Sequence, residues 1–266
     1  MPWLALTLEV QGPAAEALSD ALIEAGAQSV WLEGLRICAL IDAAGDADAL
    51  VAQAARRAGL GAPRFSASAV ADEDWVRSSQ AQFAPLVVGN RLWVGASWHE
   101  PPPGRSAVTI DPGLAFGTGS HPSTRLVLGF LERELKGGER VLDYGCGSGI
   151  LAIAAAKLGA AHVDAVDVDL EAIKATRQNA LANAVVLNAM PPDALPLAHY
   201  DMVVSNILAQ PLIVLAPLLA ARAGRIVLSG ILESQADDVV RAYQAWFELQ
   251  VAGREAGWAL LAGVRR

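Results

Sequence analysis

The stretch that most constrains this chain is Val141-Leu142-Asp143-Tyr144-Gly145-Cys146-Gly147-Ser148-Gly149. An apolar strand runs into a glycine turn, and Ile150-Leu151-Ala152-Ile153-Ala154 then opens a helix. Gly145 and Gly147 remove side chains where a ligand must approach the backbone, and the helix N-terminus supplies N–H donors. After the next apolar run, Asp167 lies 22 positions beyond Gly145, near the ~20 expected of an acid that holds a ribose diol. A dinucleotide fingerprint needs a further Gly at position 150, and that residue is Ile. The turn therefore points to a nucleoside ligand without a pyrophosphate, with S-adenosylmethionine the leading candidate. A tight strand–helix packing turn is the plain alternative.

Around this turn, residues 105–266 alternate strand and helix. Strands are expected at Val141–Tyr144, Val163–Asp167, Ala184–Leu187, Met202–Asn206 and Arg225–Ser229, with helices near 121–135, 149–158, 170–183, 210–222 and 233–246. Phe247–Val251 and Trp258–Val264 are too close for a helical crossover, so they must pair as a hairpin. The fold class is α/β: a doubly wound, Rossmann-like seven-stranded sheet with a terminal antiparallel hairpin, binding its ligand beyond the carboxyl ends of the strands.

Residues 1–70 have a different rhythm. Leu4, Leu6, Leu8 and Val10 alternate as a strand, and Ala14–Ala25 reads as a helix closed by Gly26. Two strands flank the Gly34 turn, Asp46–Ala58 is helical, and Arg64–Val70 is a last strand. This β-α-β-β-α-β order predicts a small ferredoxin-like α+β domain without chemistry of its own. Residues 71–104 read as a linker, with a helix at Asp72–Gln82 and a hairpin over Leu86–Val94.

A net charge of −8 disfavours a general nucleic-acid binder, whose footprint is a basic stripe, and direct nucleic-acid binding is not expected. Residues 1–60 hold eight acids against three arginines, which makes this part a solvated surface or a docking face for a basic partner. Cys38 and Cys146 show no metal or pairing pattern, which suits a reducing cytoplasm. The four histidines are too scattered for a metal site. No signal peptide is read, and the apolar run Ile207–Ala221 is interrupted by Gln210, Pro211 and Pro217 and too short to span a bilayer. A cytoplasmic monomer is expected.

Two further segments offer chemistry. Asp111 to Thr124 is long and rich in small residues, as lids and binding loops are. Phe116 is placed to cover an adenosyl or methionyl group, and Thr118 and Thr124 offer hydroxyls, although Thr124 equally suits a first helical turn. His121 is a general-base candidate or a helix-start hydrogen-bonder. The second segment, Ser205-Asn206-Ile207-Leu208-Ala209, ends the fourth strand at the same crevice. The Asn206 side-chain oxygen can accept from an attacking N–H, or cap the strand end locally. Asp143 reads as an acid that orders the glycine turn, and Asp169 as the N-cap of the helix from Leu170.

Taken together, Glu73-Asp74-Trp75, Leu92-Trp93-Val94, Asp111 to Thr124, Asp143 to Leu151 and Asn206-Ile207-Leu208-Ala209 resemble the ribosomal protein L11 methyltransferase family. Phe116-Gly117-Thr118-Gly119 combined with Asn206-Ile207-Leu208-Ala209 is far more specific than the glycine turn. The resemblance covers nearly the whole chain. It implies an S-adenosylmethionine-dependent protein-lysine N-methyltransferase acting on amino groups of a basic ribosomal protein of the large subunit, with the N-terminal domain recognising that substrate. Cofactor contacts are implied for Thr124, Gly145, Asp167 and Asn206, joined by Phe116, Thr118 and Gly147 from the reading above; Asn206 is the catalytic candidate. The chain departs from the family after Asn183, where it is shorter and has Ala184 for Gly, leaving Asp193 as a candidate for the adenine wall. The alternatives are N-methylation of another protein or a nucleic acid, or S-adenosylmethionine binding without turnover. Against a nucleic-acid substrate, Asn206 is followed by Ile-Leu-Ala, with no aromatic to stack a flipped base.

Overall fold

The computed structural model describes residues 3–9, 13–33, 36–42, 45–61, 63–70, 84–111 and 119–266. The chain divides into two compact units, Met1–Gln82 and Phe83–Arg266. The first contains β1 (Trp3–Glu9), α1 (Pro13–Glu24), β2 (Ser29–Glu33), β3 (Arg36–Asp42), α2 (Ala47–Arg57) and β4 (Phe65–Val70). Its strands lie in the order β2-β3-β1-β4, with every neighbouring pair antiparallel. Alternate residues of β1, among them Leu6 and Leu8, turn to the helices and meet Leu18 and Leu22, which recur at helical spacing. Asp46 caps α2 by accepting from the Ala49 amide. This is the ferredoxin-like arrangement the pattern predicts. The Gly34 turn and the linking helix expected at Asp72–Gln82 lie outside the described residues.

The second unit opens with β5 (Leu86–Val88), β6 (Leu92–Gly95) and β7 (Ser106–Thr109). The expected hairpin forms as β5–β6, and β6 pairs in parallel with β7, so the hairpin is built into the larger unit. Its turn is held by the buried Glu132, whose Oε1 accepts from the amides of Asn90 (2.9 Å) and Arg91 (3.0 Å).

Seven strands form the main sheet: β8 (Arg140–Tyr144), β9 (His162–Val166), β10 (Asn188–Met190), β11 (Tyr200–Asn206), β12 (Ala223–Leu232), β13 (Phe247–Glu255) and β14 (Trp258–Arg265). They lie in the order β10-β9-β8-β11-β12-β14-β13. All pairings are parallel except those of β14, which runs antiparallel between β12 and β13. The terminal hairpin is therefore present as expected. From β8 the chain winds outward to β10, then returns to β11 on the other side. That reversal leaves a crevice beyond the carboxyl ends of β8 and β11, the place where open α/β sheets bind ligands.

Helices α3 (Pro122–Glu134), α4 (Ile150–Lys157), α5 (Leu170–Ala182), α6 (Ala209–Ala220) and α7 (Ala236–Tyr243) pack on the sheet. In α4, Ile150 through Ala155 are all buried, because this helix is enclosed by its neighbours and needs no polar face. Two core clusters result, one around Leu128, Val141 and Ile153, the other around Leu142, Val203 and Leu228. Among the described residues no helix is long and apolar enough to cross a membrane.

One strand is displaced from its expected place. Ala184–Leu187 does not form a strand; β10 begins at Asn188. The cause is the end of α5, where the Val185 amide donates to the Ala180 carbonyl and the Ala184 amide to the Leu181 carbonyl. This double closure uses a left-handed residue at the position usually taken by glycine, and Ala184 supplies it at φ 51. Asn183 is buried and ties this end to β7: its Oδ1 accepts from the Thr109 amide and its Nδ2 donates to the Thr109 carbonyl, both at 2.7 Å. A left-handed non-glycine residue costs about 1–2 kcal/mol, partly offset by the greater unfolded-state entropy of glycine. Ala184→Gly is therefore expected to raise stability by about 0.5–1 kcal/mol in urea unfolding. No gain would contradict this account of the helix end.

Candidate active site

The glycine turn follows β8 directly. The amides of Gly145 and Cys146 both donate to the Val166 carbonyl, at 2.7 and 3.0 Å, which pins the turn to the end of β9. Asp167 follows β9; its Oδ2 accepts from the Gly147 amide at 2.9 Å and its Oδ1 from the Asp169 amide at 3.0 Å. The structure thus brings Gly145, Gly147 and Asp167 together. Asp169 caps α5 through the Glu171 amide. The helix N-terminus is less open than the motif suggested, since the Ala152 amide already donates to Asp143 at 3.1 Å.

Asp143 is fully buried, and its Oδ1 has no hydrogen-bond partner among the described residues. Burial raises its carboxyl from 3.8 to about 7, opposed by the Ala152 hydrogen bond and aided by the Asp167 charge. Through the Ala152 amide it ties the end of β8 to the first turn of α4. Because the folded value lies above the unfolded one, the folded state binds the extra proton. The stability this group contributes is full below about pH 3.8 and lost as pH rises through about 7. Asp143→Asn is expected to flatten that decline, measured by urea unfolding at about pH 4.5 and pH 7.5, whatever constant offset the new amide adds. An unchanged slope would remove Asp143 as its source. The neighbouring Cys146 thiol is pushed up to about 12, mainly by burial, and is no nucleophile at neutral pH.

The second group of residues sits at the end of β11. Asn206 Nδ2 donates to Thr124 Oγ1 at 3.1 Å, joining the strand end to the first turn of α3. Thr124 is only 1% exposed, so its hydroxyl serves Asn206 and is not open to the crevice. Asn206 Oδ1 is buried and has no partner among the described residues, which leaves a hydrogen-bond acceptor unused. His121 is the N-cap of α3, its Nδ1 accepting from the Ser123 amide and lying 2.7 Å from Ser123 Oγ. Its ring packs edge-on against Trp258 with centroids 4.6 Å apart. That favours the helix-start reading of His121. Phe116 and Thr118 lie outside the described residues.

A cavity of about 390 Å³ opens beside Asn206, walled by His121, Ser123, Ile207, Gly230 and Trp258. Its surface is mostly apolar. Arg125, on the first turn of α3, bonds Glu255 on β13 and the Ser120 carbonyl (2.6 Å). Sequence reasoning missed Gly230 and Trp258. Gly230 interrupts the apolar run of β12 at φ 80, and the β12–β14 register shifts between Leu228 and Ile231. An isolated glycine inside a strand signals such a bulge, and that sign was present. Trp258 had no local sign beyond its place at the start of the last strand.

The family model described as "Ribosomal protein L11 methyltransferase (PrmA)" matches residues 31–266. A ribosomal protein L11 methyltransferase from Chromobacterium violaceum is 44% identical over 295 aligned positions, covering 100% of this chain and 99% of that relative. One from Thiobacillus denitrificans is 45% identical, with 100% of both chains covered. Among solved structures, a ribosomal protein L11 methylase from Lactobacillus delbrueckii subsp. bulgaricus has TM-score 0.63 and 31% identity, spanning 69% of this chain and 100% of its own. A methyltransferase from Pyrococcus furiosus, 17% identical over 59% of this chain and 88% of its own with TM-score 0.50, shares the fold.

Proposed function

The chain belongs to the ribosomal protein L11 methyltransferase family, and from that premise we propose that it methylates amino groups of ribosomal protein L11, both lysine side chains and the N-terminal amine. S-adenosylmethionine is the methyl donor; bound, it supplies an electrophilic sulfonium methyl and leaves as a neutral thioether. The residues present fit such a group. Gly145, Gly147 and Asp167 form a turn joined to a carboxylate in the crevice, and each Asp167 oxygen accepts one amide, leaving lone pairs for a ribose diol.

The observation that carries the amine reading is the unpartnered Asn206 Oδ1 beside an apolar cavity. An acceptor in that position receives an N–H from an amine and directs its lone pair at the methyl carbon. Thr124 holds the amide in that orientation. A lysine of pKa ~10.4 costs ~4–5 kcal/mol to neutralise at pH 7. Apolar cavity walls disfavour the ammonium and reduce that cost. The neutral amine forms the N–C bond with its lone pair and releases its excess proton to water. Alignment does the rest, and no dedicated base is needed. The first unit, with its acidic first 60 residues, docks the basic substrate protein.

Purified chain, methyl-labelled donor and large-subunit ribosomal proteins give the test. Label is expected in L11 as methylated lysine and methylated N-terminal residue. Label confined to nucleic acid, to carboxyl groups, or absent altogether would overturn the reading.

A further inference from the structure

Three constraints meet at Ile207, the residue after Asn206. Its Cγ2 lies 2.3 Å from the point where a Cβ on Gly145 would stand, so the first glycine of the turn is required by this side chain. Its backbone O, C and N lie 2.4, 2.8 and 2.9 Å from the corresponding point on Gly230. Ile207 also lines the cavity beside Asn206 and Trp258. One side chain thus touches the glycine turn and the cavity together. Both glycines have left-handed backbones, φ 87 and φ 80, so neither position readily takes another residue.

Resting on the reading of that cavity as the acceptor side, we propose that Ile207 is a positioning residue whose β-branched side chain sets the separation between methyl donor and acceptor. An in-line displacement needs the nucleophile, the methyl carbon and the departing sulfur on one axis, and small misplacements are costly in rate. A wall between the two binding regions fixes that axis only if it is stiff. Branching at Cβ restricts χ1, the contact of Cγ2 with Gly145 holds that rotamer, and Gly230 lies against the backbone from which the side chain springs. Leucine, of equal volume but unbranched at Cβ, loses the Cγ2 that rests on Gly145. Valine loses only the terminal methyl and keeps it.

Ile207→Leu and Ile207→Val in the full chain separate this from ordinary packing. Volume-conserving swaps are well tolerated in cores, so packing alone predicts that leucine does no worse than valine. Positioning predicts the reverse: kcat for L11 falls about tenfold or more in Ile207→Leu and less than about threefold in Ile207→Val. KM for L11 and the calorimetric Kd for S-adenosylhomocysteine stay within about threefold in both. Should Ile207→Leu fail to fold, Ile207→Met, also unbranched at Cβ and adaptable, repeats the test. The proposal is overturned if the unbranched variants keep kcat within about threefold, or if kcat and S-adenosylhomocysteine affinity fall by the same factor. A wild-type product methylated on something other than an amine would overturn the amine reading while leaving these ratios, and this proposal, intact.

Discussion

Asn206→Ala is expected to lower methyl transfer to L11 by about 100-fold or more, with little change in the affinity for S-adenosylhomocysteine. Two losses combine. The acceptor proposed to orient the amine disappears, and Thr124 Oγ1 loses its donor from Nδ2. Removing one aligned hydrogen-bonding group from a site of developing charge typically costs about 100- to 1,000-fold in rate. Asn206→Asp is the sharper variant. It retains an acceptor of the same shape, yet adds a negative charge that stabilises the ammonium form of the substrate. Activity at neutral pH should fall, and the pH profile should shift upward relative to wild type. Thr124→Val keeps Asn206 but frees its amide, and an intermediate loss of about tenfold is expected. If Asn206→Ala left both turnover and cofactor affinity unchanged, the assigned role would be wrong.

Removal of residues 1–82 is the second large effect. Among the described residues, the cavity beside Asn206 is lined by few polar side chains, those of His121, Ser123, Asn206 and Trp258, enough to receive one side chain but not to recognise a folded protein. Docking energy must then come from a surface elsewhere, and a compact unit without a catalytic constellation is the natural supplier. The cores support the experiment. Among the described residues, the first unit's cluster draws on none beyond Phe65, and the other two draw on none before Leu86. The truncated chain should bind S-adenosylhomocysteine with a Kd within about threefold of wild type while kcat/KM for L11 falls about 100-fold or more, as expected when remote binding energy is lost. Unchanged methylation of L11 would refute substrate reading by this unit.

Much of the fold was legible because its signals are local. Period-two alternation in β1, helical spacing in α1 and the strand–turn–helix at Gly145 each need only a short window. Closely spaced β13 and β14 had to pair directly, and they do. The displaced β10 shows the limit of such windows. Ala184 to Leu187 has strand-like composition, but the left-handed closure of α5 consumes the first of those residues. At the site, the link between Gly147 and Asp167 could be anticipated from a motif spacing, whereas the bond between Asn206 and Thr124 spans 82 positions and depends on how α3 returns to the sheet. Ile207 was invisible for the same reason. Its neighbours Gly145 and Gly230 lie one after β8 and one inside β12, and their contact with residue 207 exists only in the folded chain.

The three-way junction of Gly145, Ile207 and Gly230 has a consequence for descent as well as for rate. A methyl group added at either glycine collides with the isoleucine, and a smaller residue at 207 opens a void that neither glycine fills. A side chain at 145 is therefore penalised while isoleucine stands at 207, and a relative that differs at 145 should differ at 207 as well. Residues 145 and 207 are thus coupled through a side chain, whereas Gly230 answers to backbone alone. A replacement at 207 can relieve the clash at Gly145 alone, because Gly230 meets backbone that every residue at 207 carries.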